Sequence, residues 1–423
     1  MICVSTRGNA QPVSLREAVL AGLAPDGGLY VPQTIPRKPD SWWSALRGKS
    51  FHDIAIAVAL ELAGDEFDHA TLTNLVRDAL NFPVRIVELE KGLAVLELFH
   101  GPTFAFKDFG ARTLARLMAE INEGSKPITV LVATSGDTGS AVANAFFGVA
   151  GTRVVVLYPE GKVSEVQEAQ FSTLGGNVTA VAVAGTFDDC QRLAKEAFAD
   201  PSLRSRVRLT SANSISLGRL IPQMFYYAYA ASQSSADKQL TISVPSGNFG
   251  NLVAGVMAWK MGAPIRCFRA PTTINDTVPR YFASGRIDPK PSVQTLANAM
   301  DVGAPSNLER LQWLFGGDLA AMKALITTEP HTDDEVRKAI AMLFTKYGYV
   351  ADPHTAIGYL GVPDKRTGLS LFLGTAHPAK FREVVQPVIA KEVPLPDALA
   401  ATLARKKEVQ RIKPELAELS KLL

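Results

Sequence analysis

From residue 128 onward, short apolar segments of strand length alternate with longer amphipathic segments of helical spacing. The apolar segments consist almost entirely of aliphatic and β-branched residues, as in ITVLVAT (128–134) and RVVVLY (153–158). Strands without a polar face are typical of parallel sheets that helices cover on both sides. Further strands of this kind are predicted at residues 178–183, 206–212, 240–245, 265–270 and 369–375. The pattern predicts an α/β fold with open, doubly wound sheets, most simply two of them.

The first hundred residues have a different pattern. Residues 14–23 (SLREAVLAGL) begin with a serine that can cap a helix, and residues 51–62 and 70–80 repeat apolar positions at helical spacing. They predict a small, mostly helical N-terminal domain. The last thirty residues are rich in lysine and glutamate and predict a solvated C-terminal helix.

Composition excludes several classes of function. The 423 residues carry 44 Lys plus Arg against 41 Asp plus Glu, and this balance favours neither a nucleic-acid nor a membrane partner. No segment reaches the ~18 apolar residues of a membrane helix, and the N-terminus lacks a secretory pattern. The three cysteines are widely spaced, which argues against disulfides and against a metal site. We therefore expect a cytoplasmic protein with reduced thiols and no metal.

Two glycine-rich turns each follow a predicted strand and precede a predicted helix. They are TSGDTGS (134–140) and SGNFGN (246–251). Glycines let backbone N–H groups point at an anion, and the following helix adds positive potential. Neither turn matches a nucleoside-triphosphate loop or the GxGxxG dinucleotide pattern. One such turn alone is most simply a tight connection, but two of them favour a ligand with at least two anionic groups.

A lysine lies among aromatic residues in HGPTFAFKDFGAR (100–112). We predict a helix at residues 108–121 with Asp108 as its N-cap, directly after Lys107. Burial among aromatic rings at a positive helix end would lower the proton affinity of the Lys107 amine, as a Schiff-base lysine requires. The alternative is a surface lysine that packs its stem on an aromatic patch. From this segment alone the alternative is favoured.

Taken together, the segments resemble the threonine synthase family. The resemblance rests on the FKD lysine, the TSGDTGSA and PSGNFGN turns, the late GTAHPAKF segment and the N-terminal DGGLYVP, and it runs from Ser5 to Phe381. It implies a fold-type-II pyridoxal-phosphate enzyme with two doubly wound open sheets and a small helical N-terminal domain. The implied domains are an N-terminal leader domain (1–95), a small α/β domain (101–215) and a large α/β domain (96–100 and 216–423).

The resemblance also implies roles for individual residues. Lys107 matches the catalytic Schiff-base lysine, which binds pyridoxal 5'-phosphate. The other positions matched to cofactor binding are Asp137, Gly247, Asn248, Phe249, Gly250, Asn251 and Thr375. The positions matched to substrate binding are Ser135, Thr138, Asn213, Ser214 and Arg219.

Several of these matches leave alternatives open. Thr375 matches the hydroxyl residue that faces the pyridine nitrogen, but it could be an ordinary strand-end threonine. Asp137 stands where several relatives have an asparagine near the phenolic oxygen, and a carboxylate there would repel a phenolate unless a proton is shared. The segment from Asn213 to Arg219 matches the substrate-phosphate site, but it could be a helix cap followed by a solvated arginine. His377 is interpreted as a polar loop residue without a catalytic role.

The implied activity is a carbon–oxygen lyase reaction. It converts O-phospho-L-homoserine and water to L-threonine and phosphate, with a small molecule as the partner and, as in leader-bearing relatives, a monomer as the expected state. One alternative is a threonine or serine dehydratase-like enzyme, which would not need Arg219. The other is a non-catalytic relative that keeps the fold as a binding protein, which the presence of Lys107 disfavours.

Overall fold

The computed structural model describes residues 1–122, 126–233 and 240–423. The strands are β1 (Ile2–Ser5), β2 (Val13–Ser14), β3 (Tyr30–Pro32), β4 (Arg85–Glu90), β5 (Leu93–Glu97), β6 (Ile128–Ala133), β7 (Thr152–Pro159), β8 (Val178–Val183), β9 (Arg208–Thr210), β10 (Leu240–Ser243), β11 (Ile265–Arg269), β12 (Ile326–Thr327), β13 (Ser370–Gly374) and β14 (Val409–Ile412).

Helices cover most of the remaining chain. The α-helices are α1 (Leu15–Ala21), α2 (Asp40–Ala45), α3 (Phe51–Ala63), α4 (His69–Ala79), α5 (Lys107–Ile121), α6 (Asp137–Phe146), α7 (Glu165–Ser172), α8 (Phe187–Ala199), α9 (Pro201–Arg206), α10 (Leu217–Leu220), α11 (Met224–Gln233), α12 (Gly250–Lys260), α13 (Thr277–Ser284), α14 (Leu308–Leu314), α15 (Leu319–Leu325), α16 (Asp333–Tyr347), α17 (Pro353–Leu360), α18 (Arg382–Ile389), α19 (Asp397–Leu403) and α20 (Leu416–Leu422). Short 3₁₀ helices lie at Ile221–Gln223, Asn298–Met300 and Pro378–Phe381. None of the helices in the described ranges is long and apolar enough to cross a membrane.

The first α/β sheet has the strand order β14-β8-β7-β6-β9, and all its neighbours are parallel. Side chains alternate between its faces. Val130 and Val132 face a core that includes residues of α5, α6 and α7, whereas Leu131 and Ala133 face residues of α8, α9 and α20. Helices therefore cover both faces, as the apolar strands predicted.

The second α/β sheet has the order β12-β11-β10-β13-β5-β4. Its strands are parallel except for β4, which runs antiparallel to β5. Leu371 and Leu373 face the core that contains α11 and α12, and Phe372 faces a separate core with residues of α16. The prediction of two doubly wound sheets is confirmed.

The N-terminal region is mostly helical, as predicted, but it also holds a small antiparallel sheet with the order β2-β1-β3. Ser14 caps α1 in a capping box: its hydroxyl accepts from the Glu17 N–H at 3.2 Å, and the Glu17 carboxylate accepts from the Ser14 N–H at 2.8 Å. The region packs on the second sheet's helices, with the ring of Phe51 5.7 Å from that of Tyr229 on α11.

Two predicted elements differ in their details, and a proline interrupts the helices that follow them. The helix after the lysine begins at Lys107 rather than at residue 108, and Asp108 is not its cap, because its carboxylate accepts from the Thr103 backbone and hydroxyl instead. The strand predicted at 206–212 shortens to β9 because Pro201 opens a separate helix, α9. Pro222 lies where a 3₁₀ turn separates α10 from α11.

The prediction of one solvated C-terminal helix is wrong. The end of the chain forms α19, β14 and α20, and β14 pairs in parallel with β8. Without β14, the strand β8 would be an exposed sheet edge, so the end of the chain completes the first sheet.

Sheet membership crosses the expected domain boundaries. Strands β4 and β5 belong to the second sheet although they lie mostly within residues 1–95, and β14 returns to the first sheet. The three-part division itself stays a prediction. The cysteines Cys3, Cys190 and Cys267 form no disulfide with one another in the structure.

Candidate active site

Lys107 is held at the carboxyl end of the second sheet. The chain leaves β5, and the N–H of Phe106 donates to the Thr375 carbonyl at 2.8 Å, which fixes the start of α5 beside the end of β13. Phe104, three residues before Lys107, has a φ of 58°, a conformation that costs a bulky residue free energy. Local strain of this kind is common at functional sites.

The Lys107 amine is largely buried, and burial lowers its pKa. Asp137 opposes that shift, with Oδ2 3.6 Å from the Lys107 Nζ, whereas the positive charges of Lys380 and Arg219 reinforce it. The uncharged amine, which is the nucleophilic form, is therefore favoured relative to a lysine in water.

Asp137 is positioned by the first glycine-rich turn. The Thr134 hydroxyl accepts from the N–H groups of Gly136 and Gly139 at 2.9 and 2.8 Å, and α6 begins at Asp137. Burial opposes the charged form of Asp137, but the neighbouring cations Lys380 and Lys107 hold its pKa below the ordinary value. Asp137 is thus an ionised carboxylate in the interior.

Lys380 is a site residue that the sequence reasoning missed. It is fully buried, and its Nζ lies 2.7 Å from Asp137 Oδ1 and donates to the Thr103 carbonyl at 2.9 Å. Gln167 donates to the same Asp137 oxygen at 2.9 Å. The available signal was the lysine within GTAHPAKF, because a buried aspartate in the first turn requires a cation from elsewhere in the chain.

Ser135 and Thr138 lie in the same turn as Asp137, and both are partly exposed. They flank the N-terminus of α6, where backbone N–H groups are available to an anion. Their position is compatible with the predicted binding of a carboxylate.

The second glycine-rich turn contacts the predicted substrate-phosphate segment directly. The Asn248 amide donates to the Ser214 hydroxyl at 2.6 Å, and its oxygen accepts from the Ser306 N–H at 2.7 Å. Phe249 has a φ of 61° and is followed by Gly250, the first residue of α12. The structure therefore brings one predicted cofactor segment and one predicted substrate segment together.

Residue 247 must be glycine because Met300 packs closely against it, and a glycine also lets an anion approach the backbone. A Cβ at this position would lie 2.5 Å from the Met300 Cα, so the 3₁₀ segment Asn298–Met300 packs on the turn only because residue 247 is glycine. Gly250 has more room, since a Cβ there would lie 3.2 Å from the Asn307 amide nitrogen. The segment around Met300 was not identified from the sequence.

Asn251 lies at the start of α12, below the turn. Its Oδ1 accepts from the hydroxyls of Tyr226 and Tyr227, each at 2.7 Å. Its Nδ2 is buried and has no hydrogen-bond partner among the described residues. One donor thus remains available in the interior.

Arg219 is not a solvated arginine, so that alternative is wrong. It is only 3% exposed, and its Nη1 donates to the Ala212 carbonyl at 2.8 Å, whereas its Nε has no partner in the described part of the chain. Burial lowers its pKa to about 10, which leaves it charged at neutral pH. The Oδ1 of Asn213 is also buried without a partner among the described residues.

Thr375 follows β13 and is tied to a buried carboxylate, Asp352. The Thr375 N–H donates to the Thr355 hydroxyl at 3.2 Å, and that hydroxyl donates to Asp352. Asp352 also bonds His354 Nδ1 at 2.6 Å, and His354 Nε2 accepts from the Ala299 N–H at 3.2 Å. Asp352, which sequence reasoning also missed, therefore links Thr375 to the segment that packs on the second turn.

His377 lies between the rings of Phe99 and Phe104, at centroid distances of 5.5 and 5.7 Å. Burial lowers its pKa to about 4, and its Nδ1 accepts from the Ala379 N–H, so it caps the 3₁₀ turn as a neutral ring. It also lines a cleft of about 570 Å³. Its interpretation as a residue without a catalytic role stays a prediction.

The residues present fit pyridoxal phosphate. The site combines a buried lysine of lowered pKa with two glycine-rich turns, each of which leads into a helix N-terminus. It also holds buried polar atoms without described partners, and these are Arg219 Nε, Asn213 Oδ1 and Asn251 Nδ2. Such atoms are costly unless a ligand or water pairs with them.

Family models match almost the whole chain. Residues 84–371 match the family model described as pyridoxal-phosphate dependent enzyme, residues 3–80 the threonine synthase N terminus, and residues 355–423 the threonine synthase C-terminal model. Threonine synthase of Serratia marcescens is 44% identical, covering 92% of this chain and 91% of that protein. The Escherichia coli enzyme is 42% identical over the same shares.

Solved structures agree as well. The crystal structure of threonine synthase from E. coli matches with a TM-score of 0.94 at 40% identity, covering 100% of this chain and 99% of that one. The crystal structure of pyridoxal-phosphate-bound threonine synthase from Brucella melitensis matches with a TM-score of 0.95 at 36% identity, covering 100% of this chain and 98% of that one. A threonine deaminase matches with a TM-score of only 0.54 at 17% identity, which shows a shared fold. The chain belongs to the threonine synthase family of pyridoxal-phosphate-dependent enzymes.

Proposed function

We propose that this chain converts O-phospho-L-homoserine and water to L-threonine and inorganic phosphate, with pyridoxal phosphate bound through Lys107. The observation that carries the proposal is a largely buried amine, Lys107, near a buried guanidinium, Arg219. The charge of Arg219 lowers the pKa of Lys107, and its Nε has no hydrogen-bond partner among the described residues. A phosphorylated amino acid needs both an amine that reacts at its carbon centre and a charged donor for its phosphate.

Each part of the cofactor has candidate residues. The turn from Gly247 to Asn251 would hold its phosphate through backbone N–H groups and the N-terminus of α12. Thr375 would face the ring nitrogen, and a hydroxyl there does not hold that nitrogen protonated as a carboxylate would. Asp137, whose Oδ2 lies 3.6 Å from the Lys107 Nζ, would lie near the phenolic oxygen.

When bound, pyridoxal phosphate supplies an electron-withdrawing ring that stabilises negative charge at the substrate Cα. We assign the proton transfers to Lys107, because its buried amine is easily deprotonated. The amine would take the proton from Cα and pass it on to the bound conjugate, which frees it to take a second proton from Cβ before phosphate leaves from Cγ. It would return the Cβ proton at Cγ, and water would then add its hydroxyl at Cβ and a proton at Cα to give threonine, while the remaining proton leaves with the phosphate.

Arg219 is assigned to the leaving group. Negative charge accumulates on the phosphate as the carbon–oxygen bond breaks, so a fixed cation stabilises the transition state more than the bound substrate. Asn213 and Ser214 add polar groups beside the start of α10, and Ser214 is held in place by Asn248.

Ser135 and Thr138 would bind the substrate carboxylate at the N-terminus of α6. They come from the first sheet, whereas Thr375 and the second turn come from the second sheet. Movement of the two sheets towards each other would exclude water until phosphate has left, and early water would divert the intermediate to a keto acid. A monomeric state and a cytoplasmic location complete the proposal.

The proposal is tested by comparing two products. The purified chain with pyridoxal phosphate should release phosphate from O-phosphohomoserine at a higher kcat/KM than it releases ammonia from threonine or serine. Arg219→Ala should lower the first value by about two to three orders of magnitude, the scale of one lost oxyanion donor, and hardly change the second.

Arg112→Ala is the matched control. Arg112 is also largely buried, but its guanidinium bonds the Ala79 carbonyl on α4, so its loss should lower stability and leave the ratio of the two activities unchanged. Faster ammonia release in the wild type would favour the dehydratase alternative. A colourless protein that releases neither product would favour the non-catalytic one.

A further inference from the structure

The Asp137 carboxylate is shared unequally between two lysines. Its Oδ1 lies 2.7 Å from Lys380 Nζ and also accepts from Gln167, whereas its Oδ2 lies 3.6 Å from Lys107 Nζ. The stronger contact is therefore with Lys380, which is fully buried and anchored by the Thr103 carbonyl.

The position of Asp137 poses a chemical problem that Lys380 can solve. An unpaired carboxylate in the interior would take up a proton or form a full ion pair with the nearest cation. Here the nearest cation other than Lys380 is the Lys107 ammonium, and a full ion pair would hold that amine protonated.

We propose that Lys380 is a positioning residue for Lys107: its buried ammonium compensates Asp137, so that the carboxylate neither takes up a proton nor ties the Lys107 amine in an ion pair. The inference rests on the proposed function, in which Lys107 acts as an amine. It also answers the question of an aspartate near the phenolic oxygen, because Lys380 rather than a shared proton supplies the compensating charge.

Other titratable groups interact electrostatically with the cluster formed by Lys107, Asp137 and Lys380. Arg219 adds positive potential at Lys107, and His354 interacts with Asp137. Asp108 and His377 are the further groups influenced by Lys380. Since none of these groups is altered in the variants below, the differences between variants report the Asp137–Lys380 pair.

The experiment measures the pH dependence of acetylation of Lys107 in the full chain after removal of the cofactor. Trace acetic anhydride labels each lysine in proportion to its uncharged fraction, and peptide mass spectrometry quantifies residue 107. Lys380→Met should raise the pH midpoint of Lys107 acetylation by about 1–2 pH units, because the Asp137 carboxylate then pairs with the Lys107 ammonium. Asp137→Asn should lower it, and the double variant should return to within about 0.5 of the wild type.

In the holoenzyme, the visible absorption of the bound cofactor changes with pH, and we measure the midpoint of that change. It should rise in Lys380→Met, fall in Asp137→Asn and return close to the wild-type value in the double variant. Lys407→Met is the matched control, since Lys407 forms an ion pair of the same length, 2.7 Å, with Glu168. It should leave the midpoint of Lys107 unchanged.

A purely structural role for Lys380 would show as an unchanged midpoint in Lys380→Met, or as shifts of the same sign in both single variants, and either result overturns the proposal. If Lys380→Met does not fold, the comparison of Asp137→Asn with the double variant still isolates the charge of Lys380. A midpoint of Lys107 acetylation that is no higher in the double variant than in Asp137→Asn also overturns the proposal. A wild type that labels as expected but does not turn over O-phosphohomoserine would contradict the proposed function alone.

Discussion

The pKa of Asp108, the residue after Lys107, shows the effect of burial on a single carboxyl group. Its carboxyl is fully buried, and burial raises its pKa from 3.8 to about 6, although hydrogen bonds from Thr103 and the charges of Lys380 and Arg112 oppose the rise. Because the folded state then binds this proton more tightly than the unfolded state, Asp108 stabilises the fold at acid pH. That contribution is lost as the pH rises from about 4 to about 6.

Asp108→Asn should therefore change the slope of stability with pH. Relative to the variant, the wild type should lose up to about 3 kcal/mol of unfolding free energy between pH 4 and 6.5, at 1.36 kcal/mol per pKa unit. Urea unfolding at several pH values measures the difference. Parallel curves for the two proteins would show that Asp108 is ionised to the same extent in both states.

At this scale, motifs identify the residues proposed to touch ligands better than the residues proposed to support them. Lys107 and Arg219 lie in recognisable segments, and both are largely buried, with the charge of Arg219 lowering the pKa of Lys107. Lys380 could not be assigned because it pairs with Asp137, which lies 243 positions earlier in the sequence. Asp352 could not be assigned because its link to Thr375 runs through Thr355, which is 20 positions from Thr375. Nothing in the neighbouring sequence of Asp352 indicates the link to Thr375.

Among the elements, the N-terminus of α17 connects the two halves of the proposed cofactor site. Asp352 caps this helix by accepting from the N–H groups of His354 and Thr355, and its remaining bonds reach the side chains of the same two residues. Through them it holds the end of β13 and the segment Asn298–Met300.

We predict that Asp352→Ala lowers both stability and cofactor affinity. Loss of an acceptor from several buried donors should cost about 3 kcal/mol, and the cofactor Kd should rise at least about tenfold as both segments loosen. Urea unfolding and a fluorescence titration with pyridoxal phosphate measure the two effects.

Asp68→Ala is the control, because Asp68 caps α4 by accepting from the Thr71 N–H at 2.7 Å. It should cost about 1 kcal/mol and leave the Kd unchanged. If Asp352→Ala kept the wild-type Kd while losing stability, Asp352 would be a helix cap and nothing more.

Helices and strands were predictable where the apolar residues follow a single helical or strand periodicity. The observed bounds of the buried strands β6 to β8 are close to the predicted ones because, apart from Arg153, the residues there are apolar or β-branched. Strand β14 was missed because its sequence VQRI has only one buried side chain, and its place is decided by the open edge of β8. Tertiary pairing, rather than local propensity, forms that strand.

In the whole molecule, the site lies where the carboxyl ends of strands from both sheets meet. The first turn follows β6, the second follows β10, and Thr375 follows β13. The rule that ligands bind at the carboxyl ends of parallel strands predicted this edge. The sequence could not predict how the sheets face each other, because that arrangement depends on contacts such as Asn248–Ser214, across 34 residues.

The central claim is that phosphate leaves by cleavage of the carbon–oxygen bond and that water adds to carbon. It is tested most directly by running the reaction of the wild-type chain in H₂¹⁸O and analysing both products by mass spectrometry. The account predicts threonine with one ¹⁸O in its hydroxyl group and phosphate with none. Label in the phosphate, with homoserine in place of threonine, would show hydrolysis at phosphorus and would contradict the account.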